Sequence, residues 1–221
     1  MVTTADGAVI EGETRWPMAV AVLVLMGFAL VSPPHLSFLP GWVLAAVEGV
    51  LLLALIVGDP GRIDRQTPWL HWTSVALVTV LLVSTLASTA LLIYDLVIGS
   101  SATSQAGPLL LAGARVWLGN NVAFALLYWE FDGGGPTARL RGLPTYPALA
   151  FPQLMNPELA PPTWRPHFID YLYVAFTTAN AFSPTDTMPM VSWTKLAMGS
   201  QALISFAVIG IVFARAINAF T

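Results

Sequence analysis

The stretch FIDYLYVAFTTANAFSPTDTMPM, residues 168–190, decides the fold expected for this chain. It begins with helical spacing, Pro166 suits a helix start, and Asp170 lies in the first turn, where a carboxylate favours the helix dipole. A helix over 168–178 would be roughly 16 Å long, about half the thickness of a bilayer core. The Thr-, Ser- and Pro-rich residues after it are too polar for an ordinary span. Such backbone is tolerated at membrane depth only where protein or a water-filled cavity surrounds it.

The rest of the chain has the composition of a membrane protein. Of 221 residues, 56% are hydrophobic and 10% are charged, against about 25% charged in an average soluble domain. The apolar residues fall in long blocks, which favours a bilayer over a soluble core. The net charge is −3, without long runs of one sign, which argues against a nucleic-acid partner. The absence of cysteine excludes disulfides and thiolate chemistry.

Five apolar blocks can cross a hydrocarbon core, which takes about 20 residues of helix. They lie at about residues 17–32, 39–57, 72–98, 108–131 and 193–219. With the stretch at 168–190, they predict an all-α integral membrane protein with about five transmembrane helices and one re-entrant half-helix. We expect it in the lipid bilayer of the plasma or inner membrane. Residues 132–166 open with DGGGP and hold eight prolines, which predicts an extended loop outside the membrane.

Residues 170–218, DYLYVAFTTANAFSPTDTMPMVSWTKLAMGSQALISFAVIGIVFARAIN, resemble the pore helix, selectivity filter and inner helix of potassium channels. Thr177 and Thr178 match the Thr pair of that family, Asp186 matches the Asp after the filter, and Pro189 matches the following Pro. The fourth block would be the outer helix. The same C-terminal pattern is also similar to an uncharacterised bacterial family of multi-spanning membrane proteins with unknown activity.

The segment after the Thr pair differs from a potassium filter. Two glycines in that filter allow the backbone conformations that point successive carbonyls at the ion. This chain has no glycine there, and Pro184 fixes φ and removes a donor. Side chains would therefore have to contact a permeant small ion, whose sign stays open. The candidate pore-lining residues are Thr177, Thr178, Ala179, Asn180, Ala181, Phe182, Ser183, Pro184, Thr185 and Asp186.

The resemblance divides the chain into an N-terminal three-helix membrane region at 1–106 and a pore-like region at 107–221. It implies a homo-oligomer, with a tetramer favoured, because one short helix and one inner helix cannot enclose a filter alone. The function expected from it is conduction of small ions. The alternative is a non-conducting multi-pass protein, structural or transporter-like, in which the short helix only packs against the bundle.

Ionisable and polar residues inside the apolar blocks form a second set of candidates. They are Glu48, Asp95, Arg115, Asn120 and Asn121. Charges inside a membrane are costly and by default are paired or functional. Glu48 and Arg115 are candidates for an interhelical pair. Two interpretations of the pair stay open, a packing interaction and part of an ion or proton pathway.

Signatures of catalysis are absent from the sequence. His35, His71 and His167 lie far apart, and no zinc motif, nucleophile elbow or glycine-rich phosphate loop occurs. We therefore expect no enzyme activity, no metal site and no cofactor.

The loop charges predict an orientation. If the short helix is re-entrant, one side of the membrane holds Arg15, Arg62, Arg65, Arg139, Arg141, Arg165 and Lys195, and only Arg215 lies near the other. The positive-inside rule then places the N-terminus and the Pro-rich region in the cytoplasm. A potassium-channel pore needs the opposite orientation. A full crossing by 168–182, as a thin sixth span, would remove this conflict.

Overall fold

The computed structural model describes residues 2–3, 9–10, 12–65, 67–98, 105–142, 146–183 and 186–220. Pro184 and Thr185 of the candidate pore segment lie outside the described residues. The α-helices are α1 (Trp16–Val31), α2 (Gly41–Gly58), α3 (Pro68–Ile98), α4 (Ala106–Phe131), α5 (Pro136–Leu140), α6 (Pro152–Met155), α7 (Phe168–Ala181) and α8 (Ser192–Phe220). Short antiparallel strands pair β1 (Val2–Thr3) with β2 (Val9–Ile10), β3 (Glu13–Thr14) with β4 (Arg62–Ile63) and β5 (Leu149–Ala150) with β6 (Met188–Pro189).

In the described part of the chain, four helices are long and apolar enough to cross a membrane: α2, α3, α4 and α8. This fits the predicted all-α membrane class. The first apolar block forms α1, a shorter helix of 16 residues. It stops at Val31 because Ser32 is extended and two prolines follow, which cannot continue a helix.

The helix α4 lies at the centre of the bundle and packs against α1, α3, α7 and α8. It is also the most buried of the four long helices, since 61% of its most apolar 18-residue stretch is buried inside the protein. The helices α1, α2 and α3 pack side by side in chain order. Their buried apolar side chains, with those of α4 and α7, form one large core around Leu81, Leu126 and Tyr171.

We call one end of the bundle the network end, because the polar contacts described below collect there. It contains residues 12–16, 58–65, 67–68, 129–142, 146–168 and 186–195. The β3–β4 pair joins the start of α1 to the turn between α2 and α3 at this end. At the opposite end of the bundle lie the C-terminus of α1 and the N-termini of α2 and α4.

The chain returns to the network end after α7. Strand β6 pairs with β5, so Met188 lies beside Ala150, and the Thr194 hydroxyl donates to the carbonyl of Ala148 (3.3 Å). The C-terminal end of α7 lies instead beside the middle of α8, where the Phe182 and Phe206 ring centroids are 5.5 Å apart. Thus α7 starts at the network end and stops part-way along the bundle, and the next segment leads back to that end.

Two local expectations need correction. The Pro-rich region is not simply an extended loop, because α5 and α6 begin at Pro136 and Pro152. Proline is tolerated in the first turn of a helix, where its missing N–H costs nothing. The helix α7 also continues past residue 178 to Ala181 and ends at Phe182, whose left-handed φ of 55° caps it. Residues 179–181 are therefore helical and not irregular.

A buried side chain on α8 links three helices. Tyr128 of α4 donates its hydroxyl proton to Gln201 Oε1 (2.8 Å), and Gln201 Nε2 donates to the Ala175 carbonyl of α7 (2.8 Å). Both polar side chains are fully buried. Since no water reaches them, each depends on the other for its hydrogen bonds.

Replacing this glutamine tests how far the link holds α7 in place. We expect Gln201→Leu to lower the free energy of unfolding in detergent micelles by about 1–2 kcal/mol, because it leaves the Tyr128 hydroxyl buried without a partner. Adding Tyr128→Phe to that variant should cost little more. The matched control is Ser205→Ala, since the Ser205 hydroxyl, one turn further along α8, is buried and has no hydrogen-bond partner within the described part of the chain. If Tyr128→Phe lowered the free energy of unfolding as much in the Gln201→Leu variant as in the native protein, the link between the two side chains would be contradicted.

Candidate functional site

The candidate pore residues 177–181 lie on the last turns of α7. Thr177 Oγ1 donates within its own helix, to the carbonyls of Tyr173 (2.9 Å) and Val174 (3.1 Å). Asn180 Nδ2 likewise donates to the Phe176 carbonyl (2.8 Å). Thr178 and Ala179 are buried, and the Thr178 hydroxyl has no hydrogen-bond partner among the described residues. The side-chain donors of Thr177 and Asn180 thus bind carbonyl groups of the same helix.

The surface at the end of α7 is exposed in the single chain. Asn180, Ala181, Phe182 and Ser183 are exposed, and so is Asp186 on the returning segment. In a membrane, such a surface faces lipid, water or another copy of the protein. One chain does not enclose the exposed end of α7, and Asp186 belongs to the segment that returns to the network end.

A cavity of about 430 Å³ lies beside this edge, between α4 and α8. Its walls are mainly apolar and include Leu110, Trp117, Val212 and Phe213. Asn180 is the candidate pore residue that lines it. Apolar walls offer an ion no replacement for its water shell, so the Asn180 amide is the polar contact that this cavity provides from the predicted segment.

A buried carboxylate that the sequence analysis did not single out anchors the start of α7. Asp132 is 1% exposed. Its Oδ1 accepts hydrogen bonds from the backbone N–H groups of Ala148 (2.7 Å) and Leu149 (3.1 Å), and its Oδ2 accepts one from the Tyr171 hydroxyl (2.6 Å). The Arg139 guanidinium donates to the Asp132 carbonyl and lies 4.9 Å from the centroid of the Tyr171 ring. One side chain therefore connects α4, β5 and α7.

A second carboxylate holds the N-terminus of α7. Glu13 accepts hydrogen bonds from the Phe168 backbone N–H and from Trp129 Nε1 (2.8 Å). Negative charge at this position is favourable because the first N–H groups of a helix lack intrahelical partners. Asp170 adds a cap from inside the helix, since its Oδ2 accepts from the His167 N–H (2.7 Å).

A buried ion pair closes the same end of the bundle. Arg15 Nη2 donates to Asp59 Oδ2 (3.1 Å), and Arg15 Nε donates to the Asp59 carbonyl (2.9 Å). Burial lowers the pKa of Arg15, and the Asp59 carboxylate opposes this shift. The backbone N–H groups of Asp64 and Arg65 also donate to Asp59 Oδ2, so the pair fixes the turn between α2 and α3.

A third carboxylate, Glu130, lies beside this pair. It is 3% exposed, accepts a hydrogen bond from the Ser74 hydroxyl (2.6 Å), and lies 3.6 Å from His71 Nδ1. A cavity of about 40 Å³ lies beside Glu130 and the ion pair, and it is lined in part by Arg15, Asp59, His71, Ser74 and Glu130. This cavity is large enough for water.

The candidate residues inside the apolar blocks do not form one cluster, because each makes its own contacts. Glu48 and Arg115 form no ion pair within the described ranges, because Arg115 Nη1 donates to the Val31 carbonyl (2.7 Å) at the end of α1. Asp95 Oδ2 lies 3.7 Å from His35 Nε2 at the opposite end.

The two asparagines lie on α4. Asn120 Nδ2 donates to Thr89 Oγ1 (2.8 Å), which links α4 to α3. Asn121 Nδ2 donates to the carbonyl of Trp117 (2.8 Å) within its own helix. Within the residues that the structure describes, no group of three or more His, Asp or Glu could hold a metal ion.

Comparison with protein-family models, with curated proteins and with solved structures finds no match in any of the three. The resemblance to potassium channels therefore stays a prediction.

The Arg15–Asp59 pair provides a test of the network. We expect Asp59→Ala to lower the free energy of unfolding in micelles by about 3–5 kcal/mol, because it leaves the Arg15 charge buried without its partner. Arg65→Ala is the matched control. Its guanidinium Nε lies 3.8 Å from the same carboxylate, but the side chain is 64% exposed, so its loss should cost about 0–1 kcal/mol. If Asp59→Ala and Arg65→Ala lowered the free energy of unfolding equally, the buried Arg15–Asp59 pair would not be a main contact of this end of the bundle.

Proposed function

We propose that this chain is a multi-pass protein of the cell membrane, in which α7 is a re-entrant half-helix and residues 177–186 line a path for small ions. The observation that carries the proposal is the return of the chain after α7. The helix starts at the network end, its last turn lies beside the middle of α8, and β6 then pairs with β5 at the network end.

The lengths of the helices support the half-helix. With 14 residues, α7 is about 21 Å long, whereas the 29 residues of α8 span about 44 Å. A bilayer core is about 30 Å thick, so α7 is too short to cross it. This length, together with the return of the chain, argues against a thin sixth span at 168–182.

The direction of α7 favours cations. Its C-terminal carbonyls carry the negative end of the helix dipole, and they lie at the middle depth of the bundle. The residue after the helix, Phe182, adopts the left-handed conformation, so the chain turns away without continuing the helix. A small cation at this depth would meet backbone carbonyls together with the Asn180 amide.

The proposal counts α1 as the fifth span. With 16 residues it is about 24 Å long, slightly shorter than the hydrocarbon core. Its last carbonyls would then lie below the membrane surface without helical partners. Arg115, on α4, supplies a donor to the Val31 carbonyl, which meets this requirement.

The path requires several copies of the chain. Asn180, Ala181, Phe182 and Ser183 lie at an exposed edge, so walls for a pore have to come from repetition about an axis. The helix α8 exposes a line of large apolar side chains that neighbouring copies or lipid could cover: Leu196, Leu203, Phe206, Phe213 and Ile217. We propose a homotetramer, as the resemblance to potassium channels implies.

The basic residues of the loops support a cytoplasmic network end. Arg15, Arg62 and Arg139 all belong to that end, as do the other loop cations on the same side. The half-helix would then enter from the cytoplasm, which is opposite to the orientation of a potassium channel.

A second candidate function is a non-conducting membrane protein in which α7 only packs against the bundle. The observation that favours it is the local hydrogen bonding of Thr177 and Asn180, together with the apolar walls of the neighbouring cavity. In that case the last turn of α7 is a stable helix end without a ligand.

Conductance in planar bilayers separates the two functions. We expect the reconstituted protein to conduct monovalent cations better than anions, and Asn180→Ala and Asp186→Asn to change the conductance or the cation preference several-fold. The control variant is Asn156→Ala, since Asn156 also donates to a carbonyl four residues earlier but lies exposed in the Pro-rich region. Absence of conductance for every monovalent ion, or conductance that neither pore variant changes, would contradict the path through α7.

The mass of the protein in detergent tests the oligomer independently. We expect four times the subunit mass of 23.6 kDa after correction for bound detergent. A monomer that keeps its mass at high protein concentration would count against any pore built from several copies of α7.

A further inference from the structure

A carboxyl group lies buried at the middle of the α1–α4 bundle. Glu48 is 1% exposed, and its Oε2 has no hydrogen-bond partner among the described residues. The Ser84 hydroxyl of α3 lies next to this carboxyl group. Glu48 and Ser84 lie near the centres of α2 and α3, so the carboxyl group is far from both ends of these helices.

The Ser84 hydroxyl is the polar neighbour of Glu48 on α3. Its Oγ donates to the Leu81 carbonyl of its own helix (3.0 Å). A hydroxyl group is neutral, so Ser84 supplies no positive charge to the carboxyl group.

Among the residues that the structure describes, no charged group forms an ion pair with Glu48. The helix α1, on one side of α2, has no ionisable residue. The helix α3, on the other side, faces it with Ser84. The nearest basic side chain in the same region is Arg115 of α4, which donates to the Val31 carbonyl. A buried carboxyl group without a cationic partner lowers its solvation cost by taking up a proton.

A cavity of about 50 Å³, with both apolar and polar walls, lies between Ser84 and the opposite end of the bundle. Its lining includes five hydroxyl side chains and one guanidinium, from Ser32, Ser37, Ser84, Thr85, Ser88 and Arg115. Ser32 and Ser37 follow the C-terminus of α1, and Ser84 lies next to Glu48. A cavity of this volume has room for about three waters, which its hydroxyl groups can hydrogen-bond. Since Ser84 lines the cavity and lies next to Glu48, the cavity reaches the neighbourhood of the carboxyl group from that end.

Towards the network end, the bundle is closed by apolar side chains. Leu52, Leu77 and Leu81 are almost completely buried between Ser84 and the Ser74–Glu130 group. These leucines block access to Glu48 from the network end, so access is left from the opposite end of the bundle.

We propose that Glu48 is a proton-binding site at the middle of the membrane, which exchanges its proton with the aqueous phase at the opposite end of the bundle through this cavity. The ligand is a proton because the Arg115 charge repels metal cations from the cavity, whereas waters and hydroxyl groups can pass a proton along a chain of hydrogen bonds. The site lies apart from α7, so it does not depend on the ion path proposed above.

Carbodiimide labelling of the full-length protein in vesicles tests the site. Dicyclohexylcarbodiimide reacts with protonated carboxyl groups in apolar surroundings, and mass spectrometry locates the adduct. We expect modification at Glu48 that decreases several-fold as the pH rises from mildly acidic to mildly alkaline. Glu158, exposed in the Pro-rich region, should stay unmodified. Unmodified Glu48 at every pH, or protection of Glu48 by Na⁺ at constant pH, would overturn the proposal.

Cysteine accessibility tests the direction of access. Since the chain has no cysteine, each introduced thiol is unique. We expect Ser88→Cys to react with a small anionic methanethiosulfonate several-fold faster from the opposite end than from the network end, and the adduct to reduce carbodiimide labelling of Glu48. Leu81→Cys, on the closed side, should react slowly from both ends. Equal reactivity of the two positions, or faster reaction of Ser88→Cys from the network end, would overturn the proposal.

Discussion

The buried carboxylate of Asp132 is the interaction on which the C-terminal half of the structure depends. It lies just after α4, the most buried of the long helices, and it accepts hydrogen bonds from Ala148, from Leu149 of β5 and from Tyr171 of α7. Because β5 pairs with β6, the same side chain also sets where the chain returns after α7. A carboxylate satisfied in this way is favourable in a buried site, whereas three unpartnered donors there would be costly.

The polar groups of the protein collect in two places with different chemistry. At the network end, carboxylates meet basic side chains and backbone donors, as in Arg15 with Asp59, so their charges are compensated. At the middle of the α1–α4 bundle, Glu48 meets a serine hydroxyl and no basic side chain among the described residues. Compensated groups suit the anchoring of loops, and an uncompensated carboxyl group suits the uptake of a proton.

The short helix α1 links these features. Because α1 stops before the length of a full span, its C-terminus and the serines after it reach into the bundle. Arg115 donates a hydrogen bond to the carbonyl of Val31 and does not pair with Glu48. The two prolines after Ser32, which end α1, thus help to shape the cavity between α1 and α4.

The sequence by itself determined the apolar helices, the start of the short helix and the place of Asp170 in its first turn, because length, hydropathy and the first turn of a helix are local properties. It could not determine that Glu48 and Arg115 stay apart, that Asp132 meets Tyr171, or that the chain returns through β6. Asp132 and Tyr171 are 39 positions apart, and Arg15 and Asp59 are 44 positions apart. Only the tertiary structure decided these contacts, since they depend on how the helices pack and on which buried donors need an acceptor.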